Sequence, residues 1–459
     1  MARRAATLST SDAPRRDLGR RMVTSAGWLY SFRWIERLLD FGSVVVLARL
    51  LQASDFGLVA IAVSIVAIIE GLSAFDVAKA LIRSREDTRE LFDTAWTLST
   101  LRGVAAAVIM LGITFFVDDP DMAGVLAALA IAPVATGLGN PRFVLFERDL
   151  VYSKLALLTL GSKLVSVVVM LIVAVMYRSF WALVIGIIVG SLVSLLLSYA
   201  LRPYRPRWSL ARTGDLFSFS GWLSLTSIVT TLSMETDKLI VGRWLGMADT
   251  GRYFMTQRIG VLPTRELVSP LQRLLFPSFS ELAEDPARLR RAVLESINVV
   301  GSLSLAAGCG FALVAADFVP LVLGATWESI VPLLVILVPY LGARATLSMT
   351  LPCVMALGRV KLLFWVSLGY ALVHVPAFIV GTAYFGLEGA IISLVVAGVL
   401  YMALNAWMLR RCLGIALGEI LQQLRRPIVA TAVMVVALLG LRVMQPLGGF
   451  TPAATWLDL

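Results

Sequence analysis

Charged residues are scarce in this chain, cysteine is nearly absent, and no long polar stretch interrupts it. Asp, Glu, Lys and Arg make up 15% of the 459 residues, whereas soluble domains average about 25%. Hydrophobic residues make up 58%, and the mean hydropathy is +0.85. A water-soluble body cannot hide that much apolar surface, so a soluble enzyme, a nucleic-acid-binding domain and a disordered chain are excluded. The three cysteines (Cys309, Cys353, Cys412) are far apart, which excludes a disulfide framework and a clustered zinc site. They read as packed free thiols. Residues 1–22 hold Arg3, Arg4, Arg15, Arg16, Arg20 and Arg21 but no small-residue cleavage site after a short apolar core, so they are a basic tail rather than a secretory signal.

What the chain does have is apolar runs. A spanning helix needs about 20 mostly apolar residues, and lipid leaves helices as the economical way to satisfy the backbone. Spans are expected near 23–49, 56–82, 93–117, 122–141, 153–177, 180–201, 217–245, 251–271, 292–316, 329–355, 361–384, 387–409 and 427–447. With the tail in the cytosol, the positive-inside rule holds along this map. Arg83, Arg85 and Arg89, then Arg142, Arg148 and Lys154, then Arg202, Arg205, Arg207 and Arg212 fall inside. So do Arg273, Arg288, Arg290, Arg291, Arg359, Lys361, Arg410, Arg411, Arg425 and Arg426. The opposite side has Arg49, Arg178, Arg243 and Arg252 beside acidic turns such as Asp118, Asp119 and Asp121. The net charge of +10 is therefore a topology signal, and no nucleic-acid partner is expected. No connection is large enough for a catalytic domain, so the chain is expected not to be an enzyme.

The chain also repeats itself. At a constant offset of 194 residues, Gly27-Trp28-Leu29 matches Gly221-Trp222-Leu223, and ARLLQASDFG (48–57) matches GRWLGMADTG (242–251). Arg49, Leu51, Asp55 and Gly57 fall on Arg243, Leu245, Asp249 and Gly251. Six helices lie between the copies, an even number, so the halves are parallel repeats. The expected organisation is a basic cytosolic tail (1–22), a six-helix lobe (23–201), a cytosolic linker (202–216), a second lobe (217–412) and a C-terminal part (413–459). That last part has an amphipathic interfacial stretch at 414–426 and an extra helix. Asp55 and Asp249 are placed to cap helices 2 and 8, with Arg49 and Arg243 able to tie the same turns.

These residues carry a family resemblance. The chain resembles the Wzx-type flippases for lipid-linked oligosaccharides, in the polysaccharide transporter branch of the multidrug/oligosaccharidyl-lipid/polysaccharide (MOP) superfamily, and within it the colanic-acid-type exopolysaccharide exporters. The motifs are ARLLQASDFGLVA (48–60), FERDLVYSKLALL (146–158) and FWALVIGIIVGSL (180–192) in the first half. In the second they are DKLIVGRWLG (237–246), LLFPSFSEL (274–282), DPARLRRA (285–292), GATWESIVPLL (324–334) and ALGR (356–359). The resemblance implies an all-α membrane protein with two pseudo-symmetric six-helix bundles in a MATE-like V, plus about one extra C-terminal helix. It implies alternating access, with an undecaprenyl-diphosphate-linked oligosaccharide as substrate, in the bacterial cytoplasmic membrane. It also implies no cofactor beyond a coupling Na⁺ or H⁺. Membrane lipids, a polysaccharide polymerase and glycosyltransferases are the implied partners.

Ionisable residues at membrane depth are functional candidates by default. In helix 1, Arg33, Glu36, Arg37 and Asp40 share an arc about 100° wide at about 100° per residue. They read either as a self-neutralising network or as a site, with the arginines on a diphosphate and an acid on a cation. Arg258, Arg265, Arg344 and Lys163 add buried positive charge, and arginine suits a diphosphate because it binds in bidentate fashion. The candidate substrate residues are thus Arg33, Arg37, Lys163, Arg258, Arg265 and Arg344. The candidate coupling acids are Glu36, Asp40, Glu70, Glu235 and Asp237, and no metal site is expected. His374, the single histidine, reads either as a packed neutral side chain beside Pro376 or as a proton carrier. Two other readings are a cation-coupled multidrug or metabolite antiporter of the same superfamily, and a membrane-embedded polymerase or glycosyltransferase. The mainly basic buried charge speaks against the first, and the lack of a long loop against the second.

Overall fold

The computed structural model describes residues 32, 34–72, 81, 88–148, 152–214 and 221–444. Among these, every regular element is helical. Residues 34–50 form α1. They are followed by α2 (Ala53–Leu72), α3 (Arg89–Thr114), α4 (Pro120–Leu129), α5 (Ile131–Gly137), α6 (Tyr152–Tyr177) and α7 (Trp181–Leu201). The second half supplies α8 (Gly221–Leu245), α9 (Met247–Glu281), α10 (Pro286–Val322), α11 (Val331–Thr346), α12 (Thr350–Ala356), α13 (Val360–Leu413) and α14 (Leu417–Met444).

Nine stretches among the described residues are long and apolar enough to cross a membrane: 53–72, 89–114, 120–137, 153–177, 181–201, 286–322, 325–356, 360–413 and 417–442. At about 1.5 Å per residue α13 would reach roughly 80 Å, far beyond a hydrocarbon core of about 30 Å. It is two spans joined at Gly386, whose φ of 64° and ψ of −147° belong to glycine-only backbone. Helices α8 and α9 have the length, with 25 and 35 residues, but not the composition. Glu235, Asp237, Lys238 and Arg243 lie on α8, and Arg252, Arg258, Arg265, Glu266 and Arg273 on α9.

By contact, the chain divides into two units, 1–51 with 72–220, and 52–71 with 221–459. Helix α2, sequentially part of the first repeat, packs with the second unit. Within the first unit, α6 and α7 lie side by side, with the Ser166 hydroxyl donating to Gly186 O at 2.7 Å. The segment after α7 is strapped to the start of α3. The Arg207 N–H donates to Asp93 Oδ1 (3.0 Å), Ser209 N–H to Thr97 Oγ1 (3.0 Å), and the Tyr204 hydroxyl to Asp93. Burial first, then the hydrogen bond to Asp93, pushes the Tyr204 phenol above its ordinary value of 10. A raised phenol pKa stabilises the fold below about pH 10 and loses that contribution as the unfolded-state phenol ionises. Proteolytic nicking of the strap is therefore expected to be constant from pH 5 to about 9 and to rise only above about 10, as read on gels of detergent-solubilised protein.

In the second unit, α14 runs parallel to α10. Arg290 pairs with Glu419 at one end, the Asn298 amide donates to Gln423 O at 2.7 Å along the way, and Arg442 pairs with Asp317 at the other end. The thirteenth span is thus a full-length helix. The stretch 414–426 is not a separate interfacial helix. Residues from 417 onward are the first turns of α14, and Ile420 and Leu424 are buried in a core with Leu289, Ile297 and Val300 of α10. An amphipathic pattern alone does not say whether its apolar face meets lipid or another helix. Leu424→Ala is expected to cost about 2–5 kcal/mol, measurable as a lowered melting temperature in detergent. Arg442→Ala is expected to cost under about 1 kcal/mol, because exposed pairs are weak.

Candidate functional site

The second unit holds its polar side chains in a buried cluster. Asp237 of α8 is 4% exposed and His374 of α13 is 1% exposed. His374 Nε2 lies 2.9 Å from Asp237 Oδ1. The Tyr253 hydroxyl, from α9, donates to the other carboxylate oxygen at 3.1 Å. The Gln257 amide, one turn further on, donates to Tyr253 Oη at 2.8 Å. Three helices therefore converge on one carboxylate, and both of its oxygens are occupied by side-chain partners.

The other face of the imidazole continues the cluster. His374 stacks on Tyr370, one turn earlier on the same helix, with ring centres 5.1 Å apart and planes 11° from parallel. Tyr370 meets Tyr401 at 5.0 Å, and the Arg344 guanidinium lies over Tyr401 at 4.9 Å. Phe378 closes the side toward α9, 5.6 Å from His374 and 5.7 Å from Tyr253. His374 Nδ1 is buried with no hydrogen-bonding partner among the described protein atoms. Next to Asp237 on α8, Lys238 pairs with Glu235 at 2.6 Å, both partly buried.

Most of the residues singled out from sequence lie within the described residues. Lys163 and Asp40, assigned to substrate and cation respectively, are each other's ion-pair partner across α6 and α1. Lys163 lines a cavity of about 670 Å³ within the first unit, together with Asn140, Ser166, Ser194 and Ser198. Glu36 and Arg37 are half-buried on α1, while Arg33 lies outside the described residues. Glu70 is half-buried near the end of α2. Arg258 and Arg265 are exposed side chains seven residues apart on α9, hence on one face of the helix, with Arg258 against the Phe254 ring at 5.8 Å. Asp40 and Asp237 belong to different units. No group of three or more His, Cys, Asp and Glu able to hold a metal ion occurs among the described residues.

At the repeated turns, Asp55 is the third residue of α2 rather than its N-cap, and its carboxylate reaches back to accept from the Gln52 N–H at 2.9 Å, the acid's half of a capping box. Asp249 pairs with Arg252 at 2.8 Å instead of with Arg243. Sequence reasoning missed the Asp237–His374 bond and the tyrosines around it. The available signal was one acid and the only histidine, each in mid-span, 137 positions apart.

Comparison with known proteins follows the same lines. The chain is 27% identical over 410 residues to the lipopolysaccharide biosynthesis protein WzxC of Escherichia coli K12, covering 86% of this chain and 82% of that protein. It is 26% identical to the succinoglycan biosynthesis transport protein ExoT of Rhizobium meliloti, covering 77% and 72%. Among solved structures, the lipid II flippase MurJ in an inward closed conformation superposes with a TM-score of 0.73 at 12% identity, covering 89% of this chain and 92% of that one. A MOP superfamily transporter from Pyrococcus furiosus superposes at 0.56 and 14% identity, covering 85% and 94%. These structural likenesses establish the fold, an all-α membrane fold. The family model for polysaccharide biosynthesis proteins matches residues 46–332, more than half of the chain and inclusive of α2, α8, α9 and Asp237, so the protein belongs to the polysaccharide biosynthesis protein family.

Proposed function

We propose that the protein is a flippase that moves a lipid-linked oligosaccharide repeat unit across the cytoplasmic membrane for exopolysaccharide or O-antigen assembly. Family membership carries this reading, supported by relatives named for lipopolysaccharide biosynthesis and succinoglycan transport. The protein is a transporter and not an enzyme. The substrate is an undecaprenyl-diphosphate-linked oligosaccharide, and the N-terminus is cytosolic, as the positive-inside pattern requires. The polymerase and glycosyltransferases of the same assembly line are its expected partners.

Alternating access divides the work among the residues above. Arg258 and Arg265 of α9 neutralise the diphosphate, because a headgroup leaving water needs charge-assisted partners, and Arg33 and Arg37 are the corresponding candidates of the first repeat. The cavity lined by Asn140 and the serines suits sugar hydroxyls. The prenyl tail stays in lipid.

The Asp237–His374 pair is the coupling site, and its ion is the proton. Hard metal cations take several oxygen ligands, whereas both oxygens of Asp237 already lie within hydrogen-bond distance of a side-chain partner, His374 Nε2 and the Tyr253 hydroxyl. Glu36, Glu70 and Glu235 are second-rank coupling acids, the last engaged by Lys238. Taking up a proton changes the charge of the α8–α9–α13 junction by one unit. A ligand can shift a two-state equilibrium only by its differential affinity, and a buried, desolvated pair makes that difference large.

Mass spectrometry of lipid extracts tests the function. A deletion strain is expected to accumulate undecaprenyl-diphosphate-linked repeat units and to recover on complementation. Absence of that intermediate in the deletion strain sinks the reading. Complementing with Arg33→Ala/Arg37→Ala is expected to leave the protein level unchanged and export at least about tenfold lower, since each lost charged hydrogen bond is worth about 1.5–3 kcal/mol.

A further inference from the structure

At one end of the first unit, three cations sit on aromatic rings. The Arg142 guanidinium lies over the Tyr204 ring at 4.8 Å and the Phe92 ring at 5.4 Å. Arg202 lies over Phe146 at 5.2 Å, and the Lys154 ammonium over the same ring at 5.9 Å. Among the described residues none of the three takes part in an ion pair, and Arg142 Nε is buried with no hydrogen-bonding partner. The carboxylate on the far edge of Tyr204, that of Asp93, is already held by the Tyr204 hydroxyl, the Arg207 N–H and Arg89. A ring face fixes a cation without cancelling its charge. One buried side chain builds the arrangement. Asn140, 5% exposed, accepts from the Arg142 N–H at 3.0 Å through Oδ1 and donates through Nδ2 to Arg202 O at 2.6 Å. Phe143 packs edge-on to Phe146 at 5.1 Å and so holds the ring that Arg202 and Lys154 share. The positive-inside rule accounts for the number of charges at this end, but not for their being seated on rings and tied to one amide.

We propose that Lys154 and Arg202, with Arg142 beside them, hold the phosphate of an anionic glycerophospholipid of the inner leaflet. The three lie where the apolar stretches 120–137, 153–177 and 181–201 begin or end, which is headgroup level. An arginine fork takes two phosphate oxygens and a lysine adds a point charge, and basic pockets between helices on the cytoplasmic side bind such headgroups. A free anion would meet the same charges, but the surface continues from them as lipid-facing side chains. Leu157, one turn along α6 from Lys154, and Leu196 of α7 are exposed, as is Trp208 on the strap, edge-on to Trp96 at 5.0 Å. Tryptophan at a span end belongs to the headgroup layer. The site is made of first-unit residues alone and is separate from Arg258 and Arg265. Only the choice of leaflet rests on the cytosolic N-terminus proposed above.

The test is native mass spectrometry of the full-length protein, stripped of lipid in detergent and titrated with dioleoyl phosphatidylglycerol. Saturable binding is expected, and none with dioleoyl phosphatidylcholine. Arg142→Gln/Lys154→Gln/Arg202→Gln is expected to weaken binding at least about tenfold, as the loss of three basic residues at a lipid surface should. Arg288→Gln/Arg291→Gln/Arg410→Gln, which removes three exposed charges of the second unit, is expected to leave it unchanged. Equal binding of the two lipids overturns the site, and so does equal weakening in the second triple variant. Lys154 is exposed, so Lys154→Glu spares the fold even where the triple variant does not. It is expected to weaken phosphatidylglycerol binding several-fold, and an unchanged affinity there also overturns the site.

Two competitors separate the sources of phosphate. Millimolar inorganic phosphate is expected not to displace the lipid, and displacement would make this a site for a free anion and overturn the proposal. Undecaprenyl diphosphate is expected to bind the wild type and the first triple variant equally. A loss in that variant would transfer the site to the transported substrate and overturn the proposal as well. The leaflet is read from Lys154→Cys in a chain whose Cys309, Cys353 and Cys412 are replaced by Ala. An impermeant maleimide is expected not to label it in intact cells, and labelling overturns the inner-leaflet assignment. If the transport reading itself is wrong, the deletion strain lacks the intermediate while the lipid titration is unaffected, so the two failures are separable.

Discussion

Asp237→Asn, expressed at the normal level, exports polysaccharide at about one hundredth of the wild-type rate and no longer responds to an imposed proton gradient. The amide retains the shape and much of the hydrogen bonding of the carboxylate toward His374 and Tyr253, so folding is largely spared. What it loses is the ability to exchange a proton. A coupling ion contributes only the free energy by which it distinguishes two states, and about 2.7 kcal/mol of lost bias corresponds to a hundredfold.

His374→Ala behaves differently. It leaves a carboxylate 4% exposed without its principal partner, and removing one member of a buried pair costs about 3–5 kcal/mol. Lower protein abundance and a lower melting temperature in detergent are expected. The double variant Asp237→Asn/His374→Ala separates the roles, since neither residue then carries a buried charge. Abundance returns toward normal while export stays low. Recovery of export in the double variant would assign the pair to structure alone. The readouts are export at two external pH values and thermal unfolding of purified protein.

The parts of this molecule that were legible in the sequence are those governed by periodicity and charge counting. Apolar runs placed nine stretches among the described residues, including the pair that share α13, because lipid forces nearly every spanning stretch into a helix. The repeat was legible because the turns after α1 and α8 preserve the same residues, Arg49, Asp55 and Gly57 against Arg243, Asp249 and Gly251. Asp237 stood out because an acid in mid-span is costly unless partnered.

Its partner was not legible. His374 is brought to Asp237 by the docking of α13 against α8, and nothing in either helix encodes that register locally. The same holds for Lys163 and Asp40, which looked like separate functional charges until the α1–α6 packing made them a pair. The α14 segment shows the converse limit. Its first turns were correctly read as amphipathic, but whether Ile420 and Leu424 meet lipid or Leu289 and Ile297 is a tertiary fact. Placement of α2 among the contacts of the second unit is likewise invisible to a repeat-based division of the chain.

Arg258→Ala/Arg265→Ala carries the second large effect, an export defect exceeding a hundredfold with the melting temperature unchanged. Both side chains are exposed, and their spacing on α9 puts them on one face, so neither supports the core. If each donates a charged hydrogen bond to a diphosphate, losing both removes about 3–6 kcal/mol, which is two or more decades of affinity. Each single variant is expected to lose about one decade. Lysine at both positions is expected to recover part of the activity, because an ammonium still binds phosphate as a point charge but gives up the bidentate fork. A purely structural role predicts the opposite ordering, with lysine and alanine equally tolerated in export and any loss tracking the melting temperature. Accumulated lipid-linked intermediate, measured beside export, separates a transport block from a failure of synthesis. Only the former requires these two arginines to meet the phosphates.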